Sequence, residues 1–285
     1  MTTKDAMDDT RERHQSPPLT VYRGWKDTGK HVWSPFVVKL EACLRFGNLA
    51  YRTAVGSPKT APRGKIPYVE FSSGEESLGD SGLIVKALTE RGLLPDLNAQ
   101  LDGEGRAKDL AVRAMMEDRL CFYHGWERWT QNYYTMRDHI FAAMPYPLRV
   151  VIGLLAHRGM VATLHGQGTG RYTAEEIASF RLEIWESINS LLTASRDKAR
   201  ARARGSSRSP GVVWEGEVGG KGEGAFLGLG RGGAYAGGCD GVWVCGQRFD
   251  LGPDSQAVVK GFPVILEYAD RIQDRYFPDY EKWTL

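Results

Sequence analysis

The stretch Lys65-Ile66-Pro67-Tyr68-Val69-Glu70-Phe71 decides how the first third of the chain is read. Ile66 to Phe71 alternates as a half-buried strand does. Pro67 near its start removes a ladder donor, so the strand needs an edge or a bend there. A cis Ile66-Pro67 bond meets that need by turning the main chain outward, and the surrounding pattern favours it over the commoner trans form. The Ile66 N–H and C=O then stand ready to pair with an extended peptide as a further strand.

Working outward, Ser72-Ser73-Gly74 turns the chain into a short partner strand at Glu75 to Leu78. Asp80-Ser81-Gly82 then opens a helix from Ser81 to Arg91, stopped by Gly92. Upstream, Leu19 to Gly24 reads as a strand ending at glycine. Ser34 to Phe46 reads as a helix, with Ser34 at the N-cap and Pro35 at the first helical position, where a missing N–H costs nothing. Val37, Val38, Leu40, Cys43 and Leu44 supply its apolar face, while Lys39 and Arg45 read as solvated positions. Leu49 to Val55 is a second strand, weakened by Arg52 and Thr53. The order is strand, helix, strand, strand, strand, helix, which is the thioredoxin arrangement. Ser34 and Asp80-Ser81 each fall at a helix N-terminus, where open N–H groups and the dipole favour a thiolate or carboxylate.

From Ala107 the chain turns helical. One long helix is expected to run into Phe122-Tyr123-His124-Gly125-Trp126-Glu127-Arg128-Trp129 and then Tyr133-Tyr134. Such an aromatic stripe serves either as core or as an apolar wall beside a ligand. Leu148 to His165 is a modest helix, and Thr173-Ala174-Glu175-Glu176 starts another, through Leu192, with a capping-box pattern. His124, His139, His157 and His165 show no metal or triad spacing, so no metal is expected. The net charge of +2 gives no reason to expect nucleic acid. Residues 1–18 are polar, lack an apolar core and read as a disordered arm. The longest apolar run, Val150 to Ala156, is too short to span a bilayer, so no transmembrane segment is expected. Cys43, Cys121, Cys239 and Cys245 are scattered, as reduced thiols of a cytoplasmic protein would be.

At these residues the chain resembles a glutathione S-transferase. It is most similar to the branch related to metaxin and the failed-axon-connections proteins, whose first helix begins Ser-Pro-Phe-x-x-Lys-Leu-Glu. Here that is Ser34-Pro35-Phe36-Val37-Val38-Lys39-Leu40-Glu41. The likeness continues through Gly64 to Glu70 and Asp80-Ser81, and resumes at Tyr268 to Ile272 and Arg275 to Tyr280. It implies an α/β plus all-α fold: a thioredoxin-like glutathione-binding domain over 19–95, then a helical domain of glutathione S-transferase type over 105–285. It implies that Ser34 occupies the catalytic position and stabilises the glutathione thiolate. Ile66, beside Pro67, would pair with the cysteinyl backbone, Asp80 and Ser81 would take the γ-glutamyl amine and carboxylate, and Lys65 would reach the glycyl carboxylate. Asp80 is one methylene shorter than the glutamate usual in relatives. Serine in place of cysteine points away from thiol transfer. Capping alone also accounts for Ser34, Asp80 and Ser81. The partners implied are glutathione, a small apolar electrophile and a second copy in a homodimer. The other reading is a non-catalytic interaction protein, as in metaxin-like relatives.

Residues 196–252 change character. Arg196 to Arg208 is a basic low-complexity run, and 205–252 hold sixteen of the 34 glycines, too many for a helix. The family places a buried helix here, entered by Asp-Ala-Thr-x-Phe-Gly-Phe. Shifting the codons of Gly238 to Cys245 by one nucleotide permits that motif: Cys239/Asp240 becomes Ala or Val, Asp240/Gly241 becomes Thr or Met, and Trp243/Val244 is forced to Gly. The expectation is therefore a frame error or retained intron within this stretch.

Overall fold

The computed structural model describes residues 19–26, 28–72, 74, 77–206 and 252–282. The proposed arm and the shifted codons lie outside them.

Four strands form one sheet: β1 (Leu19–Tyr22), β2 (Tyr51–Ala54), β3 (Tyr68–Phe71) and β4 (Leu78–Gly79). Their order is β2-β1-β3-β4, with β1 parallel to β2 and antiparallel to β3. Helix α1 (Pro35–Phe46) and helix α2 (Ser81–Glu90) pack together on this sheet. Leu19, Val21, Leu40, Leu44, Val69, Ile84 and Leu88 make the core between them. Burying each such side chain contributes about 1.5–3 kcal/mol. The thioredoxin-like order read from the sequence is thus present, and the Ile66-Pro67 bond is cis. Of the short partner strand expected over Glu75 to Leu78, Leu78 lies in β4, which runs on to Gly79; Glu75 and Glu76 lie outside the described residues.

The remaining described elements are helical: α3 (Gly103–Ala114), α4 (Cys121–Trp126), α5 (Tyr133–Ile140), α6 (Tyr146–Gln167), α7 (Ala174–Ser206), α8 (Pro253–Lys260) and α9 (Pro263–Tyr276). The long helix expected from Ala107 is interrupted twice, by π-helical segments at Met115–Leu120 and Glu127–Gln131. Both carry acidic side chains that pair with distant cations. Glu127, fully buried, binds Arg181 and accepts from the Ser255 N–H at 3.1 Å, so it caps α8. Of the aromatic stripe, Tyr123, Trp126 and Trp129 pack inward, whereas Tyr134 stands exposed. Thr173 and Glu176 form the reciprocal capping box, at 2.8 and 3.2 Å. Helix α7 runs past Leu192 to Ser206.

Three further departures have clear causes. Lys39 is not solvated: it is buried and paired with Glu117 of the first π-helical segment. Arg45 is not solvated either, because the C-terminal tail folds back over it and presents Asp279. Helix α6 is longer than its longest apolar run suggests, since scattered small and apolar residues extend it to 22 residues. Its length and composition suffice to cross a membrane. Of the described cysteines, Cys121 is a free thiol, as expected, and Cys43 is disulfide-bonded, which corrects the reduced thiol expected there; Cys239 and Cys245 lie outside the described residues. Burial pushes the Cys121 thiol up to about 11, so it is a poor nucleophile.

Candidate functional site at one end of the sheet

The strand register gathers the sequence-picked residues. Tyr22 pairs with Tyr68, and Tyr68 pairs with Gly79, so the end of β1, the start of β3 and the end of β4 form one row. The chain leaving β1 reaches Ser34, the chain entering β3 is Lys65-Ile66-Pro67, and the chain leaving β4 is Asp80-Ser81. All three loops therefore open at the same edge of the sheet.

Side chains around this edge fix its shape. Tyr22 and Tyr68 stack with ring centroids 4.3 Å apart. The Tyr22 hydroxyl donates to Glu70 at 2.5 Å, and that bond, with burial, holds its pKa up to about 12. Gly24, at φ +87°, leaves room for Ile66: a Cβ there would sit 2.2 Å from the Ile66 Cδ1. The positive φ is what favours glycine here; the Ile66 methyl it faces is the free end of a side chain and could shift. Pro67 is buried, Ile66 half-buried and Lys65 exposed.

The two helix starts differ. Ser34 has extended backbone angles, and its carbonyl accepts from the Val37 and Val38 N–H groups at 3.1 and 3.2 Å. Its hydroxyl makes no capping bond, although the residue is 9 % exposed. Capping by the side chain therefore does not explain serine at this position. Asp80 behaves in the opposite way: one carboxylate oxygen accepts from the Gly82 and Leu83 N–H groups at 3.0 and 3.1 Å. Its φ of +80° is rare for a residue with a side chain and costs on the order of 1–3 kcal/mol. Ser81, at the first helical position, is buried.

Trp33, next to Ser34, stacks on His139 of α5 with centroids 3.4 Å apart. This pair joins the sheet half to the helical half directly beside Ser34. Neither ring was singled out from sequence as part of the site, and no spacing signal links residues so far apart. On the other flank, Lys39, Asp80, Leu83, Lys86, Arg113 and Glu117 line a cavity of about 590 Å³ between α1, α2 and α3. Asp80 reaches this cavity, while Ser34, Lys65, Ile66, Pro67 and Ser81 do not line it. Among the described residues no cluster of three metal-ligating side chains occurs.

Beneath α1 lies a buried polar seam built with the C-terminal tail. Arg23 and Glu41, both almost wholly buried, pair at 3.2 Å, and the Tyr280 hydroxyl donates to Glu41 at 3.0 Å. Burial pushes the Glu41 carboxyl up, against the pull of Arg23 and Tyr280. His31 meets Gln273 at 2.8 Å. Burial pushes this imidazole down to about 4; the Gln273 bond opposes the shift, and Arg23 and Arg45 reinforce it. Arg45 donates to the Tyr276 carbonyl at 2.7 Å and to Asp279 at 2.9 Å.

Residues 35–136 match the family model described as the glutathione S-transferase N-terminal domain. Glutathione transferase GSTFuA2 from Phanerochaete chrysosporium is similar across 92 % of this chain and 99 % of its own, with TM-score 0.54 and 14 % identity. The chain has the glutathione S-transferase fold. GSTFuA3 from the same organism is similar over 94 % of this chain and 99 % of its own, with TM-score 0.53 and 16 % identity. A glutathione transferase family member from Pseudomonas fluorescens pf-5, with two glutathione bound, covers 93 % of this chain and 92 % of its own at TM-score 0.50 and 12 % identity. Within this fold, the edge holding Ser34, Pro67 and Ser81 belongs to the thioredoxin-like half. The Trp33–His139 stack joins that half to the helices.

Proposed function

We infer that the chain binds glutathione at this edge and conjugates it to a small apolar electrophile. The observation that carries this is the Ser34 hydroxyl, which sits at the start of α1 without serving as its cap. There it donates to the glutathione sulfur, and the open N–H groups of the helix start favour the thiolate form. The thiol proton leaves to solvent, and the sulfur lone pair attacks the electrophilic carbon. A C–S bond forms as the leaving group departs with its electron pair. The Ile66 main chain pairs with the cysteinyl unit beside Pro67. Asp80 and Ser81 take the γ-glutamyl end and Lys65 the glycyl carboxylate. The glutathione bound by the Pseudomonas fluorescens protein of the same fold supports the ligand class. The domain limits 19–95 and 105–285, a homodimer and a cytoplasmic setting go with this reading, as does the frame error within 196–252.

A non-catalytic interaction protein is the second reading. Asp80 favours it, because its carboxylate is already engaged by Gly82 and Leu83 and is less available to a ligand amine. Calorimetric titration with glutathione, together with conjugation of a chloronitroaromatic electrophile, separates the two. Binding with turnover that Ser34→Ala abolishes is the expected result. A folded protein that takes up no glutathione rejects the transferase reading.

A further inference from the structure

The loop between β1 and α1 delivers Ser34, and its last residues are held one by one from distant parts of the chain. The Gly29 carbonyl accepts from the Glu281 N–H at 2.7 Å. The Lys30 carbonyl accepts from the Arg23 guanidinium, and the Lys30 ammonium pairs with Glu281 at 2.6 Å. His31 meets Gln273 at 2.8 Å, with Phe277 and Tyr280 against its ring at 4.8 and 5.0 Å between centroids. Val32 is buried, and Trp33 stacks on His139. Every residue from Gly29 to Trp33 is thus fixed from outside the loop, whereas connecting segments ordinarily run loose over a surface.

Two buried side chains tie these anchors to the rest of the molecule. Arg23 follows β1 directly, and its own N–H is fixed to the Ala54 carbonyl of β2 at 2.8 Å. Its guanidinium spans the loop at Lys30, α1 at Glu41, and the tail, where the Tyr280 ring centroid lies 5.5 Å away. Gln273 of α9 is the counterpart on the other side. Its amide oxygen meets His31, and its amide nitrogen donates to the Phe277 and Tyr280 carbonyls at 2.9 and 3.2 Å. Neither side chain lines the cavity that Asp80 reaches. Both therefore act on the reaction through the loop and α1. The leverage is large, because a misplacement of about 1 Å between reacting groups can cost about a hundredfold in rate.

We propose that Arg23 and Gln273 are positioning residues for Ser34: through the Gly29–Trp33 loop they set where its hydroxyl meets the glutathione sulfur. This rests on the transferase reading above. The test compares the full chain with Arg23→Lys and Gln273→Met. Arg23→Lys keeps the charge beside Glu41 but loses the planar fork that spans loop, helix and ring. Gln273→Met keeps the bulk and loses the hydrogen bonds. Each protein is assayed for conjugation of a chloronitroaromatic electrophile, and its bound thiol is titrated by thiolate absorbance. In both variants kcat should fall about tenfold. Bound glutathione should need a pH about one unit higher to ionise, a tenfold loss of thiolate. KM for glutathione should stay within about twofold, since Ile66, Asp80 and Ser81 sit on other loops. Ile184→Ala, in the core of the helical half, is the control. It should lower the melting midpoint and leave the thiol titration unmoved. Variants that ionise the bound thiol and turn over as the unaltered chain does overturn the positioning role and leave the transferase reading standing. A change confined to KM overturns it as well, and so does an equal thiol shift in Ile184→Ala. Should Arg23→Lys fail to fold, Gln273→Met decides alone. An unaltered chain that binds no glutathione overturns both readings.

Discussion

The starts of α1 and α2 solve the same problem differently. Both open at one edge of the sheet and both begin with a residue suited to capping. Asp80 holds its own helix, through two N–H groups. Ser34 leaves its hydroxyl out of the cap. The α1 helix is held from elsewhere instead: by Glu41 on Arg23 and Tyr280, by Lys39 on Glu117, and by Arg45 on Asp279. A capping residue becomes available for chemistry when tertiary contacts take over the work of fixing its helix.

The contrast can be broken first from below. Glu41→Ala leaves Arg23 buried without its carboxylate and should cost about 3–5 kcal/mol in urea unfolding. A loss under about 1 kcal/mol would mean that α1 does not depend on this support. Acid should weaken the same seam. His31 stays neutral in the folded chain to about pH 4, whereas the unfolded imidazole protonates near 6.5. Its contribution is therefore present above about pH 6.5 and lost as pH falls to 4, by about 3 kcal/mol. His31→Phe should flatten that slope, and an unchanged pH profile would contradict the assignment. At the second helix, Asp80→Ala should cost about 1 kcal/mol, while Asp80→Gly, which accepts the positive φ, should cost only a few tenths. Equal losses in the two variants would place the cost in something other than the cap. Smallest is the stability effect of Ser34→Ala, within about 0.5 kcal/mol because no cap is removed. Thermal melts beside the conjugation assay check it: lost turnover with an unmoved midpoint separates chemistry from folding at this residue.

How far the sequence could be read follows from the range of each interaction. Ser34-Pro35, Ile66-Pro67 and Asp80-Ser81 announce themselves because turn, cap and strand signals are local. They place the elements within a few residues and predict the cis bond. Lys39 and Arg45 are misread as solvated because helical periodicity reports one helix alone. Their partners, Glu117 and Asp279, lie 78 and 234 residues away. The Trp33–His139 stack is invisible for the same reason. The two π-helical segments leave no apolar signature, since the residues that reward them, Lys39, Arg181 and Ser255, come from other helices. Helix α6 is undervalued because counting a continuous apolar run misses the small and apolar residues scattered along it.

The tail that crosses α1 also sets an order of events. Glu281 donates to the Gly29 carbonyl at 2.7 Å, and Tyr268, Ile272, Phe277 and Tyr280 pack on Val38 and Ala42. Segments made earlier on the ribosome are thus completed by segments made much later. The sheet can form early, but the floor beneath Ser34 closes only once residues past 270 have emerged. A nascent chain stalled before that point would hold every residue of the candidate glutathione seat and still lack the support that positions it.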